Sequence, residues 1–181
     1  MAGRTPKEAI QNFLDPLRQA LACLSHEVLY VRSGNDPSSA PYALMLNNSP
    51  VPLRRDRRFT LEVIQHYRLI ETEVPRGPWK VQTVAYYYTL SETGDEPREI
   101  LGYHWHPQGR SWVTYPHFHL YRGAEVGRDD VRKARFPTGR ITLEEVLQLA
   151  IKEFAVVPLR DDWEEILNKT QAAFEEWRTW S

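Results

Sequence analysis

Four of the six histidines in this 181-residue chain fall close together, as His104-Trp105-His106 and His117-Phe118-His119, each pair spaced i, i+2. On a β-strand that spacing points both rings of a pair to the same side of the sheet. Imidazole titrates near neutrality, so two rings on one face supply both a general base and a general acid, the chemistry of phosphodiester cleavage without a metal. His117 and His119 are the acid–base candidates, with His104 in support. The plainer alternative is that these histidines stack or hydrogen-bond with neighbouring Tyr and Trp on a half-wet face.

A turn centred on Gln108 and Gly109 would pair residue 106 with 111 and 104 with 113, and set 117 opposite 100. All four histidines then share a face with Ile100, Gly102, Ser111, Val113, Tyr115 and Tyr121. Leu101, Tyr103, Trp105, Trp112, Phe118 and Leu120 form the opposite, core-facing side. The same register separates the two histidine pairs by about four residues, roughly 13 Å of strand rise. Zinc requires three or four ligands at about 2.0 to 2.3 Å, so the two pairs should bind it weakly at best, and neither a metal nor a cofactor is expected.

Cations follow the second pair at once. Arg122 is the candidate phosphate clamp, and Arg128, Arg132, Lys133, Arg135 and Arg140 continue the run, while Arg54, Arg55, Arg57 and Arg58 form a second cluster. Nearby cations would stabilise charge developing on a phosphorane. Tyr115, Tyr121, His106, Arg135 and Arg140 complete the expected binding surface, and Tyr86, Tyr87 and Tyr88 offer stacking faces, although strand alternation must bury some of them. Net charge is -1, but from Thr142 onward nine acidic residues stand against four basic ones, which leaves residues 1–141 at +4. A mildly basic body permits a polyanion such as RNA without requiring one. No Gly-x-Ser-x-Gly, His-Glu-x-x-His, phosphate-loop or dinucleotide pattern occurs.

The elements that must position these residues are legible in outline. Thr5-Pro6-Lys7-Glu8 reads as a capped helix start, with Ile10, Phe13, Leu14, Leu17, Leu21 and Leu24 as its apolar stripe and Pro16 as a kink or break. Residues 33–39 read as a loop. Short β-branched and aromatic runs at 27–31, 42–46, 59–72, 81–91, 99–105 and 112–121 are separated by turn sequences, the texture of an antiparallel meander. Thr142-Leu143-Glu144-Glu145 is a second capping box, opening a helix faced by Val146, Leu147, Ala150, Ile151 and Phe154. Asp161 can cap a last helix carrying Trp163, Ile166, Leu167, Phe174 and Trp177. The expected fold is a single α+β domain over residues 1–181. It is a twisted antiparallel sheet of about five or six strands, flanked by an N-terminal helix and two C-terminal helices.

The single cysteine, Cys23, excludes an internal disulfide framework or thiolate zinc site and is expected in the core. The N-terminus has no apolar leader and no stretch is long enough to span a bilayer, so a cytoplasmic protein is expected.

Tyr103-His104-Trp105, then Tyr115-Pro116-His117-Phe118-His119, then a basic segment leading into Leu143-Glu144-Glu145-Val146-Leu147, resembles the TumE-like toxins of prokaryotic toxin–antitoxin modules. The likeness covers residues 80–150, and a basic loop stands after His119 where that family's pattern has a further histidine and proline. The resemblance implies a growth-inhibiting role, with nuclease activity as the implied chemistry and an antitoxin protein as partner. The leading expectation is thus a metal-independent RNA-cleaving or RNA-binding toxin-like protein. A non-catalytic partner-binding domain and a metal-dependent hydrolase are the alternatives.

Overall fold

The computed structural model describes residues 2–32, 42–46, 50–53, 58–72, 77–108 and 111–177. The expected loop at 33–39 and three of the four early arginines, Arg54, Arg55 and Arg57, lie outside the described residues, as does the side chain of Trp177.

The architecture is α+β, with nine strands in one antiparallel sheet and four α-helices among the described residues. In chain order the elements are β1 (Ala2–Gly3), α1 (Pro6–Leu21), β2 (Leu29–Arg32), β3 (Tyr42–Leu46), β4 (Val51–Leu53), β5 (Phe59–Glu71), β6 (Trp79–Glu92), β7 (Arg98–Trp105), β8 (His117–Leu120), α2 (Asp129–Lys133), β9 (Phe136–Pro137), α3 (Leu143–Phe154) and α4 (Trp163–Trp177). The sheet runs β2-β3-β5-β6-β7-β8-β9, with β1 added to β6 and β4 to β5. β1, β4 and β9 exceed the expected strand number, and at two or three residues each they are too short to show alternation.

Helix α1 begins as its sequence dictates, with the Thr5 hydroxyl accepting from the Glu8 amide at 3.1 Å. Only half of the box closes, because the Glu8 carboxylate accepts from Arg4 N rather than from Thr5 N. Pro16 does not split the helix, which runs through it to Leu21. A helical proline costs about 3 kcal/mol. Burial of Phe13, Leu14, Leu17 and Leu21 against the sheet offsets that, at about 1.5 to 3 kcal/mol per large side chain. At α3 the box is complete: Thr142 accepts from Glu145 N and Glu145 accepts from Thr142 N.

Helices α1, α3 and α4 pack on one another, and α1 also packs on β6. Leu61 and Val63 of β5, Tyr86, Tyr88 and Leu90 of β6, and Trp105 of β7 join the helical stripes in one core, together with the buried Cys23. An irregularity opposite His66/Tyr67 adds one residue to β6, so Val81 and Thr83 point into the core at one end, and Tyr86 and Tyr88 at the other. That bulge decides the tyrosine triplet. Tyr86 and Tyr88 are buried and stacked at 4.9 Å, leaving Tyr87 on the opposite face of the sheet.

Candidate functional site: a histidine cluster on the sheet face opposite the helices

Strands β7 and β8 pair Leu101 with Leu120, Gly102 with His119, Tyr103 with Phe118 and His104 with His117. The expected register is therefore wrong by four residues. The connection is not a two-residue turn, since β8 begins only at His117. Trp112, expected in the core, is 82% exposed in that connection. The true register is set by apolar pairs on the core side, where Phe118 packs on Tyr103 at 5.8 Å and stacks on Phe136 of β9 at 4.9 Å. Because four is even, the side-chain faces are preserved, but the two histidine pairs, expected well apart, are brought together. A second irregularity, between Leu90 and Ser91, leaves Ile100 without a pairing partner on β6, and it joins the core rather than the histidine face.

The four rings now form one group. His104 lies 4.5 Å from His119, 5.8 Å from His117 and 6.4 Å from His106, centroid to centroid, and His106 lies 5.8 Å from His117. Their polar contacts form a chain: His104 Nδ1 meets His119 Nε2 at 3.2 Å, and His104 Nε2 meets the Tyr121 hydroxyl at 3.4 Å. His117 Nδ1 lies 3.0 Å from the backbone carbonyl of Tyr115. A carbonyl oxygen only accepts, so Nδ1 carries the proton, and in the neutral ring Nε2 keeps its lone pair. His106 stacks on Tyr87 at 5.4 Å.

His117 and His119 are only 2% and 6% exposed, whereas His104 and His106 are half-buried. Burial pushes His104 down to about 3, assisted by the neighbouring histidines and Arg135. His119 is lowered to about 4 by burial, the Arg135 charge and His117, and His117 is lowered chiefly by burial. At neutral pH His104 and His119 are uncharged, so neither supplies the imidazolium that a general acid would need. Burial likewise raises Tyr121 to about 12, holding it protonated.

The other expected site residues divide. Tyr115 is 37% exposed with its ring 5.9 Å from His117, and Tyr121 packs on His119 at 4.4 Å, so both belong to the cluster. Arg122 is exposed and shares an open depression of about 980 Å³ with Tyr121, Arg98 and four glutamates, Glu62, Glu96, Glu99 and Glu125, whose net negative charge does not suit the expected phosphate clamp. Arg135 is electrostatically felt by three of the rings, while its guanidinium donates to the carbonyls of Lys133 and Ala134. Arg128 and Arg132 are engaged by Asp130 and Asp129. Arg140 does not belong here. Its guanidinium lies 3.8 Å over Trp105, whose ring is on the helix-covered face.

The roles of three contributors lay beyond sequence reasoning, although Tyr87 is among the expected stacking rings and Gly102 is expected on the histidine face. The Tyr115 carbonyl is a backbone feature with no residue-type signal, and Tyr87 depended on the unseen bulge. Gly102 did carry a signal, since glycine inside a strand marks close approach. A Cβ there would lie 2.9 Å from His104 Nε2 and 3.0 Å from the Tyr121 ring, so its absence lets both side chains settle over the strand.

No protein-family model matches the chain, and comparisons with curated proteins and with solved structures return no match. No helix among the described residues is long and apolar enough to cross a membrane.

Proposed function

We propose that this protein is a toxin-like hydrolase of RNA whose reaction centre is the group formed by His104, His106, His117 and His119, with an antitoxin protein as its cellular partner and the cytoplasm as its place of action. The observation that carries this reading is the convergence of four imidazoles on the sheet face left uncovered by α1, α3 and α4. A packing role explains stacked rings, but it does not call for ring nitrogens gathered at one point. Tyr121 places a hydroxyl beside them. Trp112 and Tyr115 in the preceding connection offer exposed rings on which unpaired bases stack. On this reading the half-buried His106 is the most accessible reacting ring, and His119 positions His104 through their 3.2 Å contact.

Incubation of the full chain with a mixed-sequence single-stranded RNA, with and without first-row divalent cations, tests the proposal. Cleavage by the wild type, reduced about 10²- to 10⁴-fold in a folded His106→Ala variant, is the expected result. Undiminished cleavage by that variant, or none by the wild type under either condition, would overturn it. A second reading, a partner-binding domain, is favoured by the 82% exposure of Trp112. It predicts that Trp112→Ala abolishes capture of a protein partner while RNA has no measurable affinity for the wild type.

A further inference from the structure

We infer that His104, His106 and His117 form a binding site for one divalent transition-metal ion of the zinc class. One nitrogen from each of the three rings lies within 4.8 Å of the other two. Bonds of about 2.0 to 2.1 Å at a tetrahedral angle require nitrogens about 3.3 Å apart. Closure from the observed spacing is thus a matter of ring rotation and shifts of about an ångström, with no change of strand register.

Two further features distinguish the group from histidines that merely pack. The Tyr115 carbonyl fixes the His117 proton on Nδ1 and leaves Nε2 as the lone-pair donor. His104 meets His119 through Nδ1 at 3.2 Å and the Tyr121 hydroxyl through Nε2 at 3.4 Å, so ligation through Nε2 gives up the longer Tyr121 contact and keeps His119 as the outer partner. Ligating histidines usually donate their second ring nitrogen to an outer partner that fixes tautomer and orientation, and two of the three rings here already have such a partner. His119 is therefore a positioning residue.

The donor set identifies the class of ion. Three imidazoles without carboxylate or thiolate suit zinc, copper, nickel or iron, and are poor hosts for magnesium or calcium. Three neutral ligands leave the ion's full charge uncompensated and a fourth position open. With Arg135 close by, such a centre attracts an anion: a hydroxide formed from bound water, or a phosphate oxygen. This deepens the reading of the cluster as a hydrolytic centre and replaces the metal-independent chemistry expected from the sequence. The binding claim itself stands apart from any activity on RNA.

Titration of the metal-free full chain with Co²⁺, followed by the visible bands of tetrahedral or five-coordinate cobalt and displaced by Zn²⁺, is the test. The expected result is a single equivalent bound, with affinity reduced at least about 100-fold in His106→Ala and about 10- to 100-fold in His119→Ala. The exposed His26→Ala control should bind as the wild type does. His117 is buried, so its alanine variant risks misfolding. The half-buried His106 is therefore the deciding position, and its variant should melt as the wild type does. Unchanged stoichiometry and affinity in His106→Ala, or no cobalt band in the wild type, would overturn the inference. One equivalent of metal bound by a protein that leaves RNA intact would sustain the site and defeat the RNA-cleavage proposal. RNA cleavage without metal binding would do the reverse.

Discussion

On both faces of the sheet burial disfavours the charged form of titratable groups, in different surroundings. On the helix-covered face Glu144 of α3 is 1% exposed, and neither carboxylate oxygen has a hydrogen-bond partner. The backbone and the Thr170 and Thr142 hydroxyls beside it offset only part of that burial. Burial pushes the Glu144 carboxyl from its ordinary 4.5 up to about 7. On the other face the histidines are buried as a group, and His104, His117 and His119 have a partner for at least one ring nitrogen. A solitary buried acid is a cost to the fold that its surroundings relieve only in part. A set of mutually oriented lone pairs is an arrangement that a ligand can use. The contrast separates a packing compromise from a candidate site, although both look alike as buried polar residues.

The largest effect that would break this contrast is catalytic. His106→Ala should cost about 10²- to 10⁴-fold in RNA cleavage with the melting temperature unchanged, whereas Glu144→Gln should leave cleavage unaltered. A comparable loss from Glu144→Gln, measured on the same RNA, would erase the distinction.

The pH dependence of stability has opposite signs on the two faces. The folded Glu144 retains its proton between about pH 4.5 and 7 while the unfolded chain has released it, so this group's contribution falls as pH rises through that window and is flat above it. Glu144→Gln should therefore be near-neutral at low pH and stabilising by about 3 kcal/mol above pH 8, as read by denaturant unfolding. His104 and His119 titrate in the folded state well below their ordinary 6.5. In metal-free protein their contribution is full above that value and is lost as pH falls toward 4. Bound zinc should extend stability to lower pH, and removal by a chelator should reverse this.

Smaller effects sharpen the assignment of the cations and aromatics. Arg140→Ala should cost about 0.5 to 2 kcal/mol through loss of its contact with Trp105, without changing RNA affinity. Trp112→Ala should leave stability within about 0.5 kcal/mol and weaken single-stranded RNA binding by about 1 to 3 kcal/mol. A filter-binding and melting comparison of the two variants separates the roles, and the opposite pattern would contradict their placement.

Helices and faces were legible because their signals are local and periodic. The Thr142–Glu145 box, the Phe13-Leu14-Leu17-Leu21 stripe and the alternation through Leu101, Tyr103 and Trp105 each follow from spacing alone. What could not be read was non-local. Gln108-Gly109 has the composition of a tight turn, but the strands pair where Phe118 finds Tyr103 and Phe136, and that choice depends on three separate segments. The irregularities at His66/Tyr67 and Leu90/Ser91, which set Tyr87 and Ile100 on their faces, likewise arise from pairing between strands. The histidines were identifiable as candidates, and their face was readable, but their convergence was not.

Long-range ¹H–¹⁵N spectra of the histidine rings in metal-free protein test that convergence most directly. The account predicts His117 protonated at Nδ1 with a bare Nε2, held by the Tyr115 carbonyl, and His104 and His119 still neutral when pH falls well below their ordinary 6.5. A proton on Nε2 of His117, together with His104 and His119 both titrating near that ordinary value, would contradict it.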